Sequence, residues 1–129
     1  MNPDPRYDRG IALFRATEFF EAHEALEDVW RETPAGEDRE FLQGLIQLAV
    51  SLEHFRRGNP RGALGQWAKA QRRLDGLTSP RGGIDLARLL AEMHAFYEAH
   101  DLAGRVADAI ADTPRLPLLD ARWPAPLRA

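Results

Sequence analysis

The sequence predicts an all-α fold: a compact array of about six helices built from antiparallel αα-hairpins, followed by an extended, proline-rich C-terminal tail. Three observations carry this. Apolar residues recur at three- and four-residue intervals through most of the chain, which is the spacing of one helix face. Clusters of Gly, Pro, Asn, Ser and Thr cut that pattern into segments of helix length. With 129 residues, 44% of them hydrophobic and 29% charged, the chain has the size and composition of a single domain, residues 1–129, with a packed core.

Pro5 suits the first turn of a helix, and Tyr7, Ile11 and Phe14 continue it to Ala16, with Gly10 as its weak point. Thr17 reads as a cap followed by a first-turn acid, Glu18, and the second helix runs to Glu32 before Thr33, Pro34, Ala35 and Gly36 break it. Glu37 and Asp38 place negative charge where the next helix dipole is positive, so a long third helix is expected from about Asp38 to Arg57. Gly58 and Asn59 stop it. Asn59 then caps a fourth helix that Pro60 opens, running to about Gly76 with Leu64, Trp67, Ala70 and Leu74 inward, so the two form a tight hairpin. Residues 76–83 hold three glycines with Thr, Ser and Pro and read as a loop. Ile84, Ala87, Leu90, Ala91, His94 and Tyr97 predict a fifth helix, and Leu102, Val106, Ala109 and Ile110 a shorter sixth. Beyond Thr113 four prolines exclude a helix over residues 113–129. Leu116, Leu118, Leu119 and Trp123 are too apolar to float free, so the tail is expected to lie extended across the bundle or a partner, a second copy of the chain being one. Ala63, Trp67 and Ala70 match the spacing of a tetratricopeptide second helix, but only one such unit occurs and an array needs about three.

Charge and composition narrow the function classes. A formal net charge of -3 argues against a dedicated nucleic-acid binder. A local basic strip (Arg56, Arg57, Arg61, Lys69, Arg72, Arg73 and Arg81, against only Asp75) reads as a solvated helix face. There is no cysteine, hence no disulfide and no thiolate metal site. The first residues carry Asp and Pro where a signal peptide needs an apolar run, and no stretch reaches the roughly 18 apolar residues of a membrane span, so the expected location is the cytoplasm. No glycine-rich phosphate loop, Gly-x-Ser-x-Gly elbow or cysteine nucleophile is present. His94 and His100 are six residues apart, on different faces of any one helix, which disfavours a shared metal. The segment Arg81, Gly82, Gly83 reads as a flexible basic loop.

One polar constellation stands out. At about 100° per residue, Glu27 and Trp30 flank His23 on the second helix, with Phe19, Phe20 and Leu26 close by, placing His23 in the middle of an apolar stripe. The third helix is apolar on nearly every side, which marks it as central, except for a narrow row of Gln43, Gln47, Ser51 and His54. The two polar rows are expected to face each other inside the molecule. These residues resemble the domain of unknown function 309, a family of uncharacterised bacterial and archaeal proteins. Its first signature looks like His-x-x-x-Glu-x-x-Trp, here His23, Glu27 and Trp30. The second is a Gln-Gly-x-x-Gln run leading to His and then Gly-Asn, here Gln43, Gly44, Gln47, His54, Gly58 and Asn59. The resemblance covers Phe14 to about Leu74 and implies a small helical array; it supplies no established activity.

Three readings of the cluster stay open. His23, Glu27, Gln47 and His54 form a buried hydrogen-bonded network that fixes helix pairing, with Trp30 as core and Gly44 as a close-contact point. Alternatively, His23, Glu27, Trp30, Gln43, Gln47, Ser51 and His54 line a ligand or catalytic pocket, with His23 or Glu27 as general base. In the third reading His23 and Glu27, one turn apart, bind a divalent metal that His54 completes; the sequence has His-Glu-x-x-Glu and lacks the second imidazole of a zinc protease. The expected function is accordingly a structural or protein-interaction module, with a small enzyme or a ligand- or metal-binding protein as the alternative.

Overall fold

The Asp4 side chain accepts the Arg6 amide N–H at 2.9 Å, and Pro5, which has no N–H to satisfy, occupies the first helical turn. From this start the computed structural model, which describes residues 4–102 and residue 104, places five α-helices: α1 (Pro5–Arg15), α2 (Phe19–Arg31), α3 (Glu37–Arg56), α4 (Pro60–Leu74) and α5 (Leu86–Ala99). The all-α class is as expected. Most of the expected sixth helix and the tail with Trp123 lie outside the described residues.

The long α3 is the axis of the fold, because it can bury apolar side chains on almost every side: Phe41, Leu42, Leu45, Ile46, Leu48, Ala49, Leu52 and Phe55 are all buried. It packs against α2 on one side and α4 on the other, and α1 packs on α2. Side chains from all five helices join one hydrophobic cluster. Gly44 lets α4 approach: a Cβ there would sit 2.5 Å from Cδ2 of the buried Leu74. Gly10 has the same role opposite Leu26, where a Cβ would meet Cγ at 2.8 Å. No helix of the described residues is long and apolar enough to cross a membrane.

Several details depart from expectation. Thr17 is not the cap of α2. It has φ 62° and ends α1 instead, its N–H bonding to the Phe14 carbonyl and that of Glu18 to the Leu13 carbonyl. This is the Schellman pattern, with threonine where glycine is usual, and α2 begins without a side-chain cap. In α4, Ala63 takes the inward place expected of Leu64, which is exposed; the buried stripe runs Ala63, Trp67, Ala70, Leu74. The phase of α5 also differs. Ile84 precedes the helix, Asp85 caps it through the Arg88 amide, and the buried face is Leu86, Leu89, Met93, Phe96 and Tyr97. Counting from Ile84 put Ala87, Ala91 and His94 inside, whereas all three are exposed.

The loop before α5 is a built clasp. Arg81 and Ile84 exchange two backbone hydrogen bonds of 3.0 Å around Gly82 and Gly83, both at positive φ as a tight hairpin turn of type I′ requires. The Tyr7 hydroxyl donates to the Gly82 carbonyl at 2.6 Å, tying α1 to this turn. Arg81 is no solvated cation: it reaches Asp38 and Glu37 at the start of α3, and its side chain is only 17% exposed. The basic strip thereby dissolves in part. Arg73 pairs with Glu40 at 2.6 Å, and Arg56 and Arg57 both pair with Glu53, so the acids of α3 answer bases that the linear sequence left unmatched. Arg61, Lys69 and Arg72 remain on the outer face of α4.

Candidate functional site

Phe19 and Phe20 are consecutive in the first turn of α2, so they point about 100° apart and one face cannot bury both. Phe19 is fully buried, its ring edge-on to Phe14 at 5.5 Å. Phe20 is 49% exposed and leans toward the His23 ring, 5.9 Å away. Between these residues and the far part of α3 lies a half-open groove of about 310 Å³, lined by Phe19, Phe20 and His23 from α2 and by Val50, Glu53, His54 and Arg57 from α3 and its C-cap. Two sequence-predicted residues, His23 and His54, therefore share one concavity. Of the two hydrophilic rows only these two imidazoles line it, at the rim of the core and not in its middle.

His23 departs from the stripe centre expected of it. The buried face of α2 is Phe19, Ala22, Leu26 and Val29, centred roughly 80° away, because Phe20 turns outward while Ala22 packs inward. His23 is half-buried at the edge, its Nε2 3.3 Å from Glu27 Oε2. The other carboxylate oxygen of Glu27 accepts from Arg31 at 2.6 Å. His23 Nδ1 is shut from solvent without a hydrogen-bond partner among the described residues. The same holds for Gln47 Oε1 and Trp30 Nε1.

The remaining candidates do other things. The Trp30 ring lies under the Arg39 guanidinium at 4.0 Å, and Arg39 donates to the Trp30 and Thr33 carbonyls, closing the end of α2 against the start of α3. Ser51 turns away from the groove and is fully buried; its Oγ meets the Ala63 carbonyl at 2.7 Å and the Tyr97 hydroxyl at 2.6 Å. The Ala63 carbonyl only accepts, so Ser51 donates to it and Tyr97 donates to Ser51. Gln43 and Gln47 are half-buried and do not line the groove. His23, Glu27, Gln47 and His54 thus form no common hydrogen-bonded network among the described residues, because His54 bonds elsewhere, to Asn59. Nor does any group of three or more His, Asp or Glu side chains that could hold a metal ion come together among the described residues. His94 pairs with Glu98 on the surface, and the His100 ring lies tilted against Phe96, centroids 4.5 Å apart.

Sequence reading missed the carboxylate of the groove wall. The Glu53 side chain is 16% exposed and accepts from both Arg56 and Arg57. Burial pushes its pKa up, but the two guanidinium groups outweigh burial and hold it below the ordinary 4.5. A carboxylate depressed in the folded state stabilises above its unfolded value, and that contribution disappears as pH falls through the folded value. Thermal unfolding below pH 4.5 is therefore expected to show a loss of stability that is shallower in Glu53→Gln. Parallel acid limbs in the two proteins would remove Glu53 as a cause. The signal in the sequence was Glu53 three and four residues before two arginines, at the only charged position between Phe41 and Phe55 other than His54.

Comparisons with known proteins bear on the family and the fold. The sequence profile of the family described as "Domain of unknown function (DUF309)" matches residues 7–66, a stretch holding both signatures and the whole groove. The chain is 36% identical over 102 residues to the uncharacterized protein YpuF of Bacillus subtilis (strain 168), covering 76% of this chain and 58% of that one. It is 36% identical over 76 residues to an uncharacterized protein of Aquifex aeolicus (strain VF5), covering 57% of this chain and 22% of the other. It thus spans only part of the length of these two relatives. A solved structure, the conserved hypothetical protein TTHA0068 from Thermus thermophilus, is 38% identical with a TM-score of 0.63, covering 80% of this chain and 99% of its own. On the two signatures, the fold and this match, the chain belongs to the domain of unknown function 309 family.

Proposed function

We propose that the domain is a ligand-binding module whose working surface is the groove between α2 and α3. The observation that carries this reading is the half-exposed Phe20 beside Phe19 and Val50, forming an apolar floor in a concavity of about 310 Å³. That volume is at the small end of ligand pockets, which run to roughly 300–1,000 Å³. An exposed phenylalanine against apolar neighbours gains contact when a ligand covers it. A hydrolytic role for His23 has less support: Nε2 faces Glu27 and Nδ1 is closed off, so neither nitrogen is presented to a substrate.

The test is titration of isotopically labelled protein with 3-phenylpropanol, followed by NMR. Shift changes are expected to cluster on Phe19, Phe20, His23 and Val50, with a dissociation constant on the order of 1 mM for a ligand of about ten heavy atoms. Phe20→Ser is expected to weaken binding about fivefold, the loss of roughly 1 kcal/mol of contact, with an unchanged melting temperature. Perturbations scattered over all helices, or an affinity indifferent to Phe20→Ser, would exclude the groove as the site.

A further inference from the structure

We infer that the natural ligand of this groove is a small carboxylate with an apolar body, its carboxylate received by Nε2–H of His54 and by Arg57. The inference rests on the groove being the binding site proposed above. It starts from Asn59. The Asn59 Oδ1 accepts the Gly62 amide N–H at 3.0 Å, which fixes the orientation of the amide and turns its NH₂ toward His54 Nδ1, 3.1 Å away. An amide nitrogen only donates, so Nδ1 is an acceptor and the neutral ring carries its proton on Nε2. The capping asparagine of α4 thereby sets the tautomer of an imidazole on α3. Gly62 closes the clasp: a Cβ there would lie 2.6 Å from Asn59 Nδ2 and 3.0 Å from His54 Cγ, so a larger residue would have to displace the Asn59 amide. His54 lines the groove, with its tautomer held by Asn59.

The charges at the rim point the same way. Glu53 is the carboxylate of the wall, and both its oxygens are engaged, by Arg56 and by Arg57 Nε. Arg57 meets Glu53 through Nε alone, and its terminal nitrogens, on a side chain 67% exposed, make no hydrogen bond or ion pair among the described residues. On the α2 side, the acid beside His23 is Glu27, which shares Arg31 with Asp28 on the exposed surface. A carboxylate placed there meets a donor and a cation, while Phe19, Phe20 and Val50 take the apolar part. The half-open groove has room for a small molecule, and the Glu53 carboxylate of its wall is already engaged by Arg56 and Arg57.

The test compares 3-phenylpropionate with 3-phenylpropanol on the whole chain at pH 8 and low salt. The acid is expected to bind about five- to tenfold tighter, a preference that shrinks with added salt and is lost in Arg57→Gln and in His54→Phe. Long-range ¹⁵N spectra of the imidazoles are expected to show His54 as the Nε2–H tautomer, changing to Nδ1–H in Asn59→Asp, which keeps the cap but replaces the donor with an acceptor. Equal binding of acid and alcohol within the groove overturns this inference and leaves the groove as a site. A preference that survives both Arg57→Gln and His54→Phe overturns it too, as does an Nδ1–H tautomer in the wild-type protein. If neither compound perturbs Phe19, Phe20 or Val50, the groove reading falls first and takes the carboxylate with it.

Discussion

Alanine at position 44 is expected to destabilise the protein by up to about 2 kcal/mol, although the same change in an unencumbered helix would stabilise it by about 1 kcal/mol. The opposing term is steric. The added Cβ would stand 2.5 Å from Cδ2 and 2.6 Å from Cγ of Leu74, and Cγ is the branching atom, not a far end that can swing away. Leu74 is only 1% exposed, so it has nowhere to go, and α3 and α4 must separate. Overpacking of this kind costs about 1–3 kcal/mol, enough to outweigh the gain in propensity. Leu74→Ala opens a cavity and costs about 2–5 kcal/mol by itself. The double substitution Gly44→Ala with Leu74→Ala is expected to cost less than the sum, because the new methyl enters the space left by the leucine. Denaturant unfolding of the four proteins measures the coupling. Additive effects would mean that residues 44 and 74 do not share this contact.

Ser51→Ala is expected to cost about 1–3 kcal/mol and to cost more than Tyr97→Phe. Both residues are buried, and the chain of donors runs one way, from the Tyr97 hydroxyl to Ser51 Oγ and from Ser51 to the Ala63 carbonyl. Removing the serine hydroxyl orphans a buried phenol donor. Removing the phenol leaves the serine with its carbonyl acceptor, and the loss is that of one hydrogen bond, about 0.5–1.5 kcal/mol. Burial already pushes the Tyr97 pKa up against the lowering effect of the Ser51 hydrogen bond. With both changes together no orphan remains, so the double variant is expected to be more stable than the two single losses imply. A Tyr97→Phe protein less stable than Ser51→Ala would reverse the assigned direction of the hydrogen bonds.

The site was legible in the sequence only in outline. His23 and His54 were expected to meet across α2 and α3, and they line one groove. Their neighbours were not foreseen, since Ser51 belongs to the α3, α4, α5 junction and Trp30 to the closure of the α2–α3 turn. A helical wheel gives the angle between two side chains on one helix, but a row about 80° wide can face either of two neighbouring helices, and α3 has neighbours on both sides. The row from Gln43 to His54 is split in this way. Its His54 edge faces α2, and its Ser51 edge faces α4 and α5. Asn59 shows the reverse. Its role as the cap of α4 followed from Asn-Pro alone, whereas its grip on His54 needed the hairpin to bring them together.

From the chain alone came the helical class, the starts of α1 and α4, the break at Gly58 and the central place of α3, all properties set by neighbours within four residues or by the apolar fraction of a segment. Only the folded arrangement decided the phase of α5, the pairing of Arg81 and Arg73 with the acids of α3, and the position of His23 at the rim of the core. Local hydrogen bonds and propensities act over a turn of helix and are written in adjacent residues. Which face is covered depends on contacts dozens of residues away, such as those of Arg81 with Glu37 or Tyr7 with Gly82, and these exist only once the helices have packed.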